Sequence, residues 1–307
     1  MPLIEYVSKK FRSSSLDLID RINGVISDYA QQGYSLTLRQ IYYQMVARAI
    51  IPNNERSYKN LGALVTDARL AGLIDWTAVE DRTRNLRGLS HWHSPRNIIS
   101  SAARSYHLDY WAEQDNYVEV WVEKDALVGI VGQICNELDV NYFSCRGYVS
   151  QSEMWNAAQR LNAQKKRGKH IVLLHLGDHD PSGIDMSRDI QERNVLFENY
   201  EMEFHRLALN MEQIDHYSPP PNPTKLTDSR AEGYIGNYGY ECWELDALEP
   251  QVISDLIRSN VIRYRNEAAY QIVKAKEQLE LNLLEDIAEN WNGIAGNWTA
   301  IKSQYCV

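Results

Sequence analysis

The sequence predicts an α/β protein in two parts: an amino-terminal helical domain built on a winged helix-turn-helix, then a parallel-sheet domain with a helical carboxy-terminal extension. Three observations carry this. From Tyr117 onward the chain reads strand, helix, strand, helix, strand, an order that calls for parallel pairing with right-handed crossovers. The two strongest strand signals, Val118–Val122 and the continuous apolar run Ile171–Leu176, each stop at acidic residues. Upstream, amphipathic helical patterns follow one another across short turns.

A chain of 307 residues has room for two domains, and the expected division is a winged-helix domain over 1–88, a connector over 89–116 and the sheet domain with its extension over 117–307. At 44% hydrophobic and 24% charged it has the composition of a globular protein. No run approaches the ~18 apolar residues of a membrane span, and MPLIEYVSKKF lacks a signal-peptide core. No membrane partner and a cytoplasmic location are therefore expected. Cys135, Cys145, Cys242 and Cys306 lack CxxC spacing, which points to reduced thiols and not to a zinc knuckle. The net charge of -9 hides an asymmetry: residues 1–110 hold 14 Lys+Arg against 10 Asp+Glu, leaving 18 against 31 for the rest. A polyanion would be gripped by the first third.

The first helix is expected from Ser15 to about Gln31, with Ile19, Ile22, Val25, Ile26 and Tyr29 on one stripe. Thr37-Leu38-Arg39-Gln40 fits a capping box, opening a helix to about Ile50 whose buried stripe includes Tyr42. Tyr43 lies about 100° further round, with Arg39 one turn before it on its own face. A phenol beside a guanidinium can hold a phosphate; taken alone, the pattern more often means that Tyr43 packs against a neighbouring element with Arg39 on its hydroxyl. Ser57 is the expected cap of a third helix through Leu70, with Lys59 and Arg69 off its core face. An extended segment Leu73–Val79 and a basic turn bearing Arg82, Arg84 and Arg87 would form the wing and its phosphate contacts, although such an arginine cluster is as often a solvated surface.

In YVEVWVEKDAL, Val118, Val120 and Val122 alternate with Glu119, Trp121 and Glu123, placing Glu123 at the carboxyl end of a strand. Helical patterns follow at Asp125–Leu138 and Ser152–Gln164, separated by a short strand, Val140–Cys145. The apolar strand Ile171–Leu176 breaks at Gly177 into Asp178-His179-Asp180-Pro181-Ser182-Gly183. In extended chain, residues two apart point the same way, so Asp178 and Asp180 can face one cation. Open parallel sheets hold ligands beyond the carboxyl ends of their strands, where Glu123, Asp178 and Asp180 all fall. An all-oxygen donor set suits Mg²⁺, with Mn²⁺ as the alternative. A DxD taken alone is more often a solvated loop. His91, His93, His170, His175 and His179 are too scattered for a zinc site. Beyond the expected helix Ser182–Phe197 and strand Glu203–Leu209, the Pro-rich stretch 218–223 reads as irregular, Glu244 and Asp246 as solvated acids, and Pro250–Trp291 as helical.

Taken in order, these motifs resemble the Toprim fold of topoisomerases, primases and related nucleases. Glu123-Lys124-Asp125-Ala126 is similar to the EKxA form found in the topoisomerase VI A subunit and the meiotic double-strand-break transesterases, and Asp178–Gly183 to their DxDPxG. Leu38-Arg39-Gln40-Ile41-Tyr42-Tyr43 resembles the RxxYY-type motif of the winged helix that precedes Toprim there, and ELxAL at Glu244–Leu248 a tail motif. The order and spacing of these motifs also resemble the stand-alone Mini-A group.

The resemblance implies DNA cleavage by transesterification with a 5′-phosphotyrosyl intermediate. Tyr43 would be the nucleophile, Arg39 its activator, and Glu123, Asp178 and Asp180 the Mg²⁺ ligands. It implies double-stranded DNA as substrate and a symmetric homodimer in which each Tyr works against the partner's carboxylates. The sequence holds no P-loop, so strand passage would need a separate ATPase subunit. Two rival readings stand: a Toprim hydrolase (nuclease) using metal-bound water, and a non-catalytic DNA-binding assembly protein.

Overall fold

The computed structural model describes residues 3–79 and 89–305, with 299–305 described by backbone alone. In chain order, helices α1 (Ser13–Ala30), α2 (Leu38–Ala47), α3 (Glu55–Leu70) and α4 (Pro95–Ser105) precede strand β1 (Asn116–Val122). A 3-10 turn, Asp125–Leu127, leads into α5 (Val128–Leu138), β2 (Asn141–Ser144), α6 (Gln151–Lys166), β3 (His170–Leu176), α7 (Pro181–Leu196) and β4 (Glu203–Ala208). Then come α8 (Met211–Tyr217), β5 (Asn222–Pro223), α9 (Ala231–Tyr238), β6 (Glu241–Cys242), a second 3-10 turn (Leu245–Ala247), α10 (Pro250–Ile262), α11 (Glu267–Glu289) and α12 (Trp291–Tyr305).

The contacts divide the chain into two compact units. One joins the described residues of Met1–Arg84 to Asn116–Tyr264; the other joins those of Asn85–Asp115 to Arg265–Val307. In the first unit the expected parallel sheet is present, with strand order β2-β1-β3-β4. Val122 of β1 stands level with Ser144 of β2 and with Leu176 of β3, so three strands finish together. From β1 the chain moves to one side for β2 and to the other for β3, which makes the carboxyl ends of β1 and β3 a topological switch point. Glu123 and the loop after Leu176 lie there.

The alternating pattern of β1 does not mark a solvent face. Tyr117 to Val122 are all buried, and the odd member, Glu119, is 1% exposed. Its carboxylate accepts two hydrogen bonds from Arg160, at 2.7 and 2.9 Å, and others from Tyr117 Oη and Trp121 Nε1. A buried acid held by four donors is tolerated where an unpaired one would not be.

The amino-terminal helices pack as their stripes require. Ile19, Ile22, Val25, Ile26 and Tyr29 of α1 meet Ile41 and Met45 of α2 and Leu61, Val65 and Ala68 of α3 in one core. The capping box at Thr37 is present: Thr37 N–H donates to Gln40 Oε1 at 2.8 Å and Gln40 N–H to Thr37 Oγ1 at 3.3 Å. Helix α3 starts two residues before the expected cap, because Asn54 takes that role and its side chain accepts from Ser57 N–H at 2.9 Å. The segment Leu73–Val79 is not a strand. Asp75 Oδ1 accepts from both the amide and the hydroxyl of Thr77 at 2.7 Å, a local turn that bends the chain, with the isolated bridges Glu5–Ala71 and Leu36–Val79 around it among the described residues. Arg82, Arg84 and Arg87 lie outside the described residues. The Pro-rich stretch ends in a two-residue strand, Asn222–Pro223, antiparallel to Glu241–Cys242.

In the second unit the expected connector contains a helix. Ser94 caps α4 by accepting from Asn97 N–H, with Pro95 at the first helical position, and α4 packs on α11. Glu277 of α11 is buried where it accepts from Tyr110 Oη and Leu108 N–H, each at 2.5 Å, and lies 2.9 Å from His107 Nδ1. Among the described residues no helix is long and apolar enough to cross a membrane. Cys135, Cys145 and Cys242 are buried free thiols; Cys306 lies outside the described residues.

Candidate active site

The switch point of the first unit collects acids and cations. Glu123 follows β1 directly, and its Oε2 accepts from Asp178 N–H at 2.9 Å, tying the ends of β1 and β3 together. Gly183 permits this closeness, since a Cβ there would stand 2.2 Å from the Asp178 carbonyl oxygen and 3.0 Å from Glu123 Oε2. Arg206 of β4 fastens the same loop by donating to the carbonyl oxygens of Gly177, Asp178 and Gly183.

The two aspartates of the DxD turn to different donors. Residue 179 is extended, its amide and carbonyl exchanging hydrogen bonds with Trp243 at 2.8 and 2.9 Å. Asp178 Oδ1 accepts from Leu245 N–H at 2.7 Å, and its Oδ2 lies 2.9 Å from Lys124 Nζ. Asp180 is the N-cap of α7, with Oδ1 accepting from Gly183 N–H at 2.6 Å. Burial pushes the Glu123 carboxyl above its usual range, opposed by the Asp178 amide and reinforced by the charge of Asp180. Burial pushes Asp178 up as well, against the pull of Lys124 and with Glu123, Asp246 and Glu244 adding to it. Among the described residues no three metal-ligating side chains come together, so the expected triad of Glu123, Asp178 and Asp180 does not converge as a closed set.

Two carboxylates remain a fit for a hard ion. Mg²⁺ binds through one or two carboxylates, keeping waters and taking phosphate oxygens for the rest. Glu123 and Asp180 are all-oxygen donors on either side of Gly183, and the charge of Asp180 helps to hold the Glu123 carboxyl up. A divalent cation would relieve that repulsion.

Tyr43 and Arg39 are where helical spacing placed them relative to each other: the Arg39 guanidinium carbon is 5.7 Å from the Tyr43 ring centroid. The Tyr43 ring, however, is covered, while the Arg39 side chain stays 43% exposed. Tyr43 is 5% exposed and Tyr42 4%, so both belong to the core of the helical part, where their rings meet edge-on at 5.2 Å. What covers Tyr43 is the segment around Glu244 and Asp246, which are not the solvated acids expected. The Tyr43 hydroxyl faces the Glu244 carboxylate, which helps to push the phenol up. Arg39 pairs with Glu244 and lies 3.0 Å from Asp246 Oδ2 through Nε. Lys124 pairs with Glu244 and lies 3.1 Å from Asp246 Oδ1.

Electrostatics follow. Burial, then Glu244 and Asp246, push the Tyr43 phenol well above its usual range, with Arg39 opposing. Burial would also raise Glu244, but Lys124 and Arg39 outweigh it and hold that carboxyl at about 2. Lys124 stays charged, because Asp178, Asp246 and Glu244 overcome the cost of its burial.

A cavity of about 690 Å³ opens onto this assembly, lined by Arg39, Tyr42, Tyr43, Tyr58, Asp180 and Glu244 among others. It brings the candidate nucleophile and one candidate metal ligand to the same space. Of the expected DNA contacts, Lys59 is exposed and paired with Glu55 at 2.6 Å, whereas Arg69 stacks over Trp76 at 4.7 Å and donates to its carbonyl at 2.6 Å. The histidines do not gather: His175 is buried against Ser187, His179 against Tyr234, and His170 pairs with Glu203.

Lys124, Glu244 and Asp246 are the site residues that sequence reasoning passed over. Their signal was the acid-apolar alternation Glu244-Leu245-Asp246-Ala247-Leu248, which reads equally as a wet edge. Comparison with protein-family models and with curated protein sequences gives no match.

Proposed function

We propose that this chain cuts DNA by tyrosine transesterification. The observation that supports it is the shared cavity, in which Tyr43 and Arg39 face the same space as Asp180. In this reading the helical part is a winged helix, the sheet a Toprim fold, and the substrate double-stranded DNA. The Tyr43 oxygen bonds to a backbone phosphorus as the bond from phosphorus to the 3′ oxygen breaks. The phosphoryl group stays on Tyr43 through its 5′ oxygen, and the freed 3′ oxygen leaves as a hydroxyl with the proton given up by the phenol. Burial keeps that phenol protonated at rest, so its proton must leave as the phosphate arrives. Arg39, held against the ring, stabilises the phenolate and the charge that grows on phosphorus. Mg²⁺ or Mn²⁺ held by Glu123 and Asp180 would neutralise the phosphate and the leaving oxygen. Two copies acting on opposite strands would give a double-strand break, and strand passage would call on a separate ATPase subunit.

One observation favours a second reading. A phenol that is 5% exposed within an apolar core is also what a structural tyrosine looks like, in which case the acids serve hydrolysis by activated water. End-labelled DNA incubated with the protein and Mg²⁺, then denatured in SDS, separates the two. Transesterification leaves label on the protein, retained in Tyr42→Phe and lost in Tyr43→Phe. Free cut ends that survive Tyr43→Phe establish hydrolysis instead, and no cutting under any metal leaves the assembly protein.

A further inference from the structure

We infer that helix α11 docks antiparallel on α11 of a second copy of this chain, through an apolar stripe that its own fold leaves in water. The helix has two faces with apolar residues. Tyr270, Glu277 and Ala288 are buried and fall on one line, where Glu277 accepts from Leu108 N–H and Tyr110 Oη of the same unit. At about 100° per residue, Ile272, Leu279 and Leu283 stand on the opposite side of the helix. They are 71%, 70% and 60% exposed, with exposed Ala275 among them. A single exposed leucine is ordinary, but large apolar side chains on successive turns of one line form the seam that another helix fills. That seam lies wholly within the second unit, so it is independent of the chemistry proposed for the sheet.

The charges on the stripe say what covers it. Along the helix the order is Ile272, Lys276, Leu279, Leu283, Asp286, with the cation toward one end and the anion toward the other, both exposed. Two such helices set antiparallel about a two-fold axis beside Leu281 bring Leu279 opposite the copy's Leu283 and Lys276 opposite its Asp286. In the same register small Ala275 meets the half-buried Ile287. Every contact then occurs twice, as a two-fold interface requires, and the stripe is its own complement in shape and in charge. A parallel pair would instead set lysine against lysine and aspartate against aspartate.

The test is sedimentation velocity on the full chain at rising concentration, for wild type and for variants at these exposed positions. Leu279→Glu should weaken self-association by about a hundredfold or more, because the axis places that side chain in the seam of both copies. Lys276→Glu alone and Asp286→Lys alone should each weaken it by about tenfold, since either change turns two attractive pairs into two repulsive ones. Combined in one chain, the two reversals restore opposite charges across the axis, and association should return to within about threefold of wild type. Wild type that stays monomeric up to about 100 μM overturns the inference. So does self-association that Leu279→Glu leaves unchanged, which places the contact on another surface. Failure of the combined reversal to recover what each single reversal lost refutes the antiparallel register, and the inference with it. Leu283→Glu repeats the first variant at the facing position, and circular dichroism shows that each chain keeps its helix content.

Discussion

Glu244 offers the sharpest test of the charge cluster, because its carboxylate accepts from Arg39 and Lys124 at once. Its carboxyl is held at about 2, against 4.5 for the unperturbed group. At about 1.4 kcal/mol per pH unit, that depression corresponds to roughly 3 kcal/mol in favour of the folded, ionised state. Glu244→Gln preserves the shape and one acceptor oxygen but fixes the neutral form, so it should lower stability by roughly 3 kcal/mol at pH 7. Because the folded value is the depressed one, the contribution is complete above about pH 4.5 and fades as pH falls from there toward about 2. Urea unfolding followed by circular dichroism at pH 7, 5 and 3.5 should show equal gaps at the first two values and a gap about 1 kcal/mol smaller at the third. Coincident midpoints at pH 7, or a gap unchanged down to pH 3.5, would show that Lys124 and Arg39 do not hold this acid.

Other perturbations probe other contacts. Burial, aided by Arg206, pushes His175 down to about 3, so the wild-type protein should lose about 1.4 kcal/mol per unit through this group as pH falls below 6.5. His175→Gln should lose about 2 kcal/mol less than wild type between pH 7 and 5 in denaturant titrations; parallel losses would refute this. Gly183→Ala should cost about 2 kcal/mol or more in urea midpoint, since its Cβ meets the Asp178 carbonyl at 2.2 Å, whereas Gly233→Ala in α9, with open space around it, should be neutral or stabilising. On the DNA-binding reading, Lys59→Ala should reduce the salt dependence of affinity by about one ion in fluorescence anisotropy. Arg69→Ala should leave it unchanged and lower stability by about 1 kcal/mol; a smaller salt slope for Arg69→Ala would place that guanidinium on phosphate.

Much of the sheet was legible because its signals are local. A continuous apolar run ending in glycine and acids can be read from Ile171–Asp178 alone, and β3 is the strand expected there. The capping box at Thr37 was legible for the same reason, four consecutive residues deciding it. Periodicity failed where a distant segment supplied the partner. Tyr43 sat off the apolar stripe of α2, yet it is buried by residues two hundred positions later, which no window along the helix contains. Glu244 and Asp246 were misread for the matching reason, since an acid beside apolar neighbours looks solvated until Arg39 and Lys124 are known to face it. Glu119 shows the same lesson within a strand: alternation alone does not say which face is wet, and Arg160 on α6 makes the face of this acid an interior one. The extended segment after α3 was lost to a two-residue side-chain turn at Asp75, a competition that strand propensity does not weigh.

The second unit, whose helix α4 rests on α11, has its own bearing on how the protein is made. Its halves are separated by the whole span Asn116–Tyr264, so α4 leaves the ribosome well before the helix that shelters it exists. At ~5–20 residues per second, the delay is on the order of ten to thirty seconds. Throughout that interval the sheet can form while Tyr110 and Leu108 wait for the glutamate that will receive their hydrogen bonds. Maturation of this region is thus tied to synthesis of α11, and a nascent chain stalled before residue 265 would present α4 bare to chaperones and proteases.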